Sequence, residues 1–168
     1  GGLGQQEAIS VSLWVQPDSV PNRWNPLLFS DGANPGAFHF SLLDDGTPNV
    51  AINHGPQQWT HRRGSAQVGS GTWHHLVVTC DPRFGGRIVF YLDGKQDAHH
   101  GLSLGVPLDL QAFRLGNYRT WEKNPAAGWH GGLSDVRIFR GTLNERQVAQ
   151  LYAADRGDSS PTSVPAEK

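Results

Sequence analysis

The chain has one cysteine and no methionine in 168 residues. A lone thiol closes no intrachain disulfide, so the fold must rest on packing. Cys80 ends the apolar run Leu76-Val77-Val78-Thr79-Cys80, which reads as a buried, inert thiol. Zinc needs clustered Cys and His ligands, which one cysteine does not supply. Missing disulfides argue neither for nor against export. Charge is also scarce, with 17% Asp, Glu, Lys and Arg and a formal net charge of −1. No excess of either sign draws the chain to nucleic acid or anionic lipid. No apolar run approaches the roughly 18 residues that span a bilayer. The motifs G-x-S-x-G, H-E-x-x-H and the P-loop are absent. With no methionine and no signal peptide, the sequence reads as a piece of a longer protein.

What is present points to strands. Glycine (21), proline (11) and tryptophan (6) are frequent, and turn-formers separate β-branched and aromatic runs, the pattern of an all-β domain. In Ile9 to Val15 the residues Ile9, Val11, Leu13 and Val15 alternate with others, which predicts a half-buried strand. Short strands are expected at 26–30 and 58–62, and residues 37–54 read as a hairpin turning at Asp44-Asp45-Gly46. Residues 76–79 and 87–92 are strong strands. Asp93-Gly94 after Leu92 is the strongest two-residue hairpin signal, because a type I′ turn needs positive φ twice. Segments 112–115 and 133–139 bring the expected count to about ten. One helix is expected over 145–154, capped by Asn144 with Gln147 reaching back, or by Thr142 with Glu145, and stopped near Gly157. Val148, Leu151 and Tyr152 would pack it on the strands. The domain is expected to span residues 1–156, with 157–168 a Ser/Pro-rich linker or disordered tail.

Five segments appear in a telling order: I-S-V-S-L-W-V-Q-P from Ile9, G-T-W-H-H-L-V-V-T-C-D from Gly71, V-F-Y-L-D-G-K from Val89, F-R-L-G-N from Phe113, and G-G-L-S-D-V-R-I-F-R-G-T-L-N-E-R-Q-V-A-Q-L-Y from Gly131. Over about 140 residues the chain resembles the laminin-G-like (LamG-like jellyroll) modules of the concanavalin-A-like lectin/glucanase superfamily. The resemblance implies an all-β, two-sheet antiparallel jelly-roll sandwich with one short C-terminal helix. It also implies an extracytoplasmic setting: secreted, periplasmic or cell-surface. Members open with a strand before I-S-V-S-L-W-V, for which only Gly1 to Ala8 remain here. Many members hold a structural Ca²⁺ partly through an acidic residue that corresponds to Asp135. Where they carry two acidic residues, this chain has Ser134 in the first slot, which weakens that expectation because carboxylates give calcium its affinity. No other cofactor is implied.

Glycoside hydrolases share this architecture, but retaining hydrolysis needs two carboxyl groups about 5–5.5 Å apart. The glutamates are Glu7, Glu122, Glu145 and Glu167, and none has an acidic partner two or four residues along a credible strand. Asp44-Asp45 lies in a turn, where the side chains diverge. A hydrolase is therefore the remote alternative, and the chain reads as non-catalytic. His74-His75 and His99-His100 sit on strands, where neighbours face opposite ways, so neither pair chelates one ion readily. His75 follows the Trp73 motif and reads as a structural histidine.

Sugar sites pair aromatic walls with a few placed polar groups. Two segments have that mixture: Gln57 to Arg63, with Trp59, His61 and Arg62, and Asn117 to Asn124, with Tyr118, Arg119 and Trp121. Trp24 and Asn25, in the Pro-flanked stretch before Leu27, are candidates to join them. The leading expectation is a carbohydrate- or glycoconjugate-binding adhesion module of a larger exported protein, with a glycan or protein as ligand. It would bind no nucleic acid and insert in no membrane, and it would neighbour other domains of its parent chain. The alternative is a protein-interaction or spacer module, in which Trp59 and Trp121 merely cover sandwich edges.

Overall fold

A computed structural model describes residues 2–118 and 127–157. Its elements in chain order are β1 (Gly4–Gln6), β2 (Ile9–Pro17), β3 (Trp24–Ser30), β4 (Phe38–Leu43), β5 (Pro48–Gly55), β6 (Gln58–Arg63), β7 (His74–Cys80), β8 (Gly86–Leu92), β9 (Lys95–Leu102), β10 (Leu108–Leu110), β11 (Phe113–Leu115), β12 (Gly131–Arg140) and α1 (Glu145–Asp155). Two five-stranded sheets, β12-β2-β7-β8-β9 and β11-β3-β4-β5-β6, stack as a sandwich, and β1 pairs with β10 beside them. Every strand pairing is antiparallel.

The core follows from alternation. Ile9, Val11, Leu13 and Val15 of β2 join Leu76, Val78, Ile88 and Phe90 from the same sheet, against Leu28, Phe38, Phe40, Leu42, Val50 and Ile52 from the other. Cys80 belongs to this core and is fully buried, and burial pushes its thiol pKa up, so it stays protonated and inert.

β2 departs from its expected half-burial, because Ser10 and Ser12 on its second face are also buried. The reason is the C-terminal segment. Ser10 Oγ donates to the Gly141 carbonyl at 2.9 Å and accepts from the Leu143 amide at 2.8 Å. Ser12 Oγ shares a 2.8 Å hydrogen bond with His75 Nε2. Val148 of α1, fully buried, packs on Val77, Val89 and Tyr91. Tyr152 stacks on Trp14 at 5.7 Å between ring centroids. Asp155 closes the layer: it accepts from Trp14 Nε1 at 3.0 Å and pairs twice with Arg137, at 2.8 Å each. The capping box of Asn144 and Gln147 starts the helix, with bonds of 3.0 and 2.9 Å. One sheet is thus covered on both faces.

Twelve strands stand where about ten were expected. The additional ones include β1, which supplies the opening strand, and its partner β10; both are three residues long. β6 runs one residue further than expected, to Arg63, and α1 one further, to Asp155. The Asp93-Gly94 turn joins β8 to β9 with φ of 51° and 78°, as its sequence demands. A side chain at Gly94 would also meet Tyr152, 2.8 Å from the added carbon, so this position is closed twice over. Among the described residues no helix is long and apolar enough to cross a membrane.

Candidate functional site

The second sheet keeps its outer face uncovered by any described helix, and alternation decides what stands there. Where Phe38, Phe40 and Leu42 of β4 point into the core, His39 and Ser41 point out. Registry then lines up Phe29, His39, Ala51 and His61 in one row across β3, β4, β5 and β6. The neighbouring row holds Ser41, Asn49 and Arg63, and Trp59 lies opposite Asn53 on the other side. Ala51 is the smallest side chain in its row, so the sheet dips between two imidazoles. The result is a hollow of about 360 Å³ over Ala51, walled by Trp24, His39, Trp59, His61 and Tyr118, with Ser41 and Asn49 as its polar side chains at the base.

The walls brace one another. His39 stacks on Phe29 with 4.2 Å between centroids and 3° between planes, leans on Trp59 at 4.7 Å, and receives the Tyr118 ring edge-on at 5.0 Å. Tyr118 donates its hydroxyl to the Gly32 carbonyl at 3.4 Å. Trp24 and His61 form a second, looser stack at 6.3 Å, and the Arg23 guanidinium lies 4.8 Å above Trp24. Asn49 Nδ2 donates to Ser41 Oγ at 3.4 Å.

Electrostatically the hollow is neutral. His39 Nε2 lies 3.2 Å from the Ser30 carbonyl, which can only accept, so Nε2 carries the proton. Burial drives the His39 pKa down to about 4; the Ser30 bond opposes the shift and the nearby His61 adds to it. Burial also lowers the His61 pKa, with the Arg23 charge adding to the effect. No carboxylate lines the hollow among the described residues.

Of the residues the sequence nominated, Trp24, Trp59, His61 and Tyr118 meet here. Asn25 does not. It is fully buried, and its amide donates to the carbonyls of Asn22 at 2.7 Å and Leu42 at 3.2 Å and accepts from the Asn22 amide, which spends it on the loop. Arg62 is opposite Val50 in the register, so it leaves β6 on the other side and lines an edge cleft with His100. Arg119 and Trp121 lie outside the described residues. Sequence reasoning missed Phe29, His39, Ser41, Asn49 and Ala51. The signal for His39 and Ser41 was the strict alternation Phe38, Phe40, Leu42, which leaves them on the opposite face.

Asp135 stands at an irregularity of β12, with φ of 48° and its side chain 54% exposed. It accepts from Ser134 Oγ at 2.9 Å and lies 3.7 Å from the Arg137 guanidinium. Calcium asks for six to eight oxygens. Among the described residues no cluster of three or more His, Cys, Asp or Glu could hold a metal, and a guanidinium beside the one carboxylate opposes a cation. These residues do not fit the ion.

A laminin-G family model, described as the concanavalin A-like lectin/glucanases superfamily, matches residues 2–149. The chain belongs to that superfamily. Solved structures share the superfamily fold with it. One is a Bacteroides ovatus protein provisionally described as carbohydrate-binding: 17% identity, TM-score 0.68, 87% of this chain and 41% of that one. The present chain thus spans about two fifths of that protein's length. Another is domain 4 of AbnA, a GH43 extracellular arabinanase from Geobacillus stearothermophilus, in complex with arabinotriose: 24% identity, TM-score 0.63, 90% and 71% covered. A third is the CBM40 of the Ruminococcus gnavus IT-sialidase bound to α2,3 sialyllactose: 12% identity, TM-score 0.66, 88% and 83% covered. No curated protein matches the sequence significantly. At these identities the likeness concerns the fold of this lectin/glucanase-superfamily domain.

Proposed function

We propose that this domain is a non-catalytic carbohydrate-binding module that holds its sugar on the open face of the β11-β3-β4-β5-β6 sheet. The observation that carries the reading is the hollow over Ala51, where Trp24, Trp59 and Tyr118 offer aromatic surface and the exposed His61 imidazole a polar group, above a buried base of Ser41 and Asn49. Sugar rings present C–H faces that pack on aromatic side chains, while their hydroxyls need a few fixed polar partners. Both parts are in place. Among the described residues no helix covers this face, since α1 occupies the outer side of the other sheet. The structures of similar fold in complex with arabinotriose and with sialyllactose support the same reading.

Catalysis has little to work with here. Hydrolysis with retention or inversion needs paired carboxyl groups across the bond, and the described residues of the hollow present imidazoles of lowered pKa instead. We place the module outside the cytoplasm, as an adhesion or targeting unit, where polymeric glycans are met. Probing a glycan array with the protein tests the proposal. Reproducible binding to a defined set of glycans is expected. A blank array, with a protein captured on the same face and lost on Trp59→Ala, would replace it by a protein-interaction role.

A further inference from the structure

The hollow over Ala51 does not end at its Trp24–His61 wall. A second depression of about 350 Å³ lies beyond, lined by Arg23, Asp44, Asp45 and Arg63, and the two share Trp24, His61 and Asn49. The stacked Trp24–His61 pair therefore forms a sill between an uncharged chamber and a charged one. Among the described residues of the charged chamber the cations and anions balance, two of each. Arg63 Nη2 is held by Asp45 Oδ2 at 2.7 Å, and the other oxygen of Asp45 accepts from the Thr47 amide at 2.9 Å. Thr47 and Arg63 together hold the Asp45 carboxyl below the usual carboxylate range, so it stays ionised. Arg23 rests on the face of Trp24.

This pairing has a chemical meaning. A glycan bearing a carboxylate or sulfate needs a guanidinium free of competing acids, and here each guanidinium shares its chamber with Asp44 and Asp45. Neighbouring hydroxyls need the reverse, acceptors and donors side by side, which the Asp45–Arg63 pair supplies. Each chamber alone has the volume of a small ligand site, and one sugar ring would leave the other unused.

Resting on the carbohydrate reading above, we propose that the site takes a neutral oligosaccharide of at least two rings, one over Ala51 among the aromatic walls and the next across the Trp24–His61 sill with its hydroxyls on Asp45 and Arg63. The test is an array of glucose, galactose, mannose, xylose and arabinose as mono-, di- and trisaccharides, beside sialylated, uronic-acid and sulfated glycans. Titrations of the bound sugars follow at about 50 and about 500 mM salt. A neutral di- or trisaccharide is expected to bind about tenfold or more tightly than its monosaccharide, with affinity unchanged by salt. The double variant Asp45→Ala, Arg63→Ala is expected to bring the trisaccharide down to the affinity of the monosaccharide. Equal affinity for one ring and three, or a preference for acidic glycans that salt abolishes, would overturn the inference and leave carbohydrate binding standing. Binding of no glycan at all would remove both.

Discussion

Phe29 and His39 face each other across β3 and β4, 4.2 Å apart at their ring centroids and 3° from parallel. The stack fixes the imidazole as an upright wall between Phe29 and Trp59, and the Nε2 bond to Ser30 fixes its rotation. His39→Ala removes the shared support of Trp59 and Tyr118, and a loss of about tenfold in glycan affinity is expected by titration calorimetry. His39→Phe keeps the stacking surface and should recover most of that loss.

The same imidazole makes the fold sensitive to acid. The His39 and His75 pKa values are both lowered from 6.5 to about 4, chiefly by burial. A group whose folded pKa is depressed contributes stability in full above its unfolded pKa and loses it as pH falls through the folded value. Stability should therefore be flat above about pH 6.5 and fall between about 6.5 and 4. For His75, which is 1% exposed, the loss is roughly 3 kcal/mol. Urea melts from pH 8 to pH 4 check this, and His39→Phe should remove that residue's share of the slope.

Asp155 ties α1 to the sandwich through Trp14 and Arg137. Its carboxyl is held below the usual range, mainly by the Arg137 hydrogen bonds, so its contribution is present above about pH 4 and lost below it. Asp155→Ala is expected to cost about 2 kcal/mol in urea unfolding at pH 7. Glycan affinity should stay unchanged, because this latch lies on the opposite sheet.

Asp135, with Arg137 at 3.7 Å, gives no basis for calcium-linked stability. Adding calcium or a chelator is expected to leave the melting temperature unchanged within about 1 °C. A tightly bound ion would instead raise it in proportion to the logarithm of its concentration.

Much of this fold was legible in the sequence. The alternation of Ile9, Val11, Leu13 and Val15, the Asp93-Gly94 turn and the Asn144–Gln147 box are each set by local physics, and each stands where its pattern put it. β1 and β10 escaped because three residues hold no periodicity, and β9 was legible from the Asp93-Gly94 turn before it and not from its own polar pattern. The burial of Ser10 and Ser12 depends on contacts 63 and 131 residues away, which no local window contains. The site was half legible. Trp24, Trp59, His61 and Tyr118 stood out as aromatic and polar residues beyond the core pattern. Ala51 did not, since its importance is its smallness beside His39 and His61, a property of strand register. Asn25 and Arg62 stand apart from the hollow, the first through burial and the second through strand parity, neither of which shows in a polar side chain beside an aromatic one.

The two sheets offer a direct comparison of tryptophans. Trp59 walls the open hollow, and Trp14 lies under Tyr152 on the covered face. Titration of one array-selected glycan into the wild type, Trp59→Ala and Trp14→Ala tests sugar binding on the open face. Trp59→Ala is expected to lower affinity at least about tenfold with little change in melting temperature. Trp14→Ala is expected to lower the melting temperature and spare affinity. Full binding by Trp59→Ala, or loss of binding by a folded Trp14→Ala, would contradict that placement.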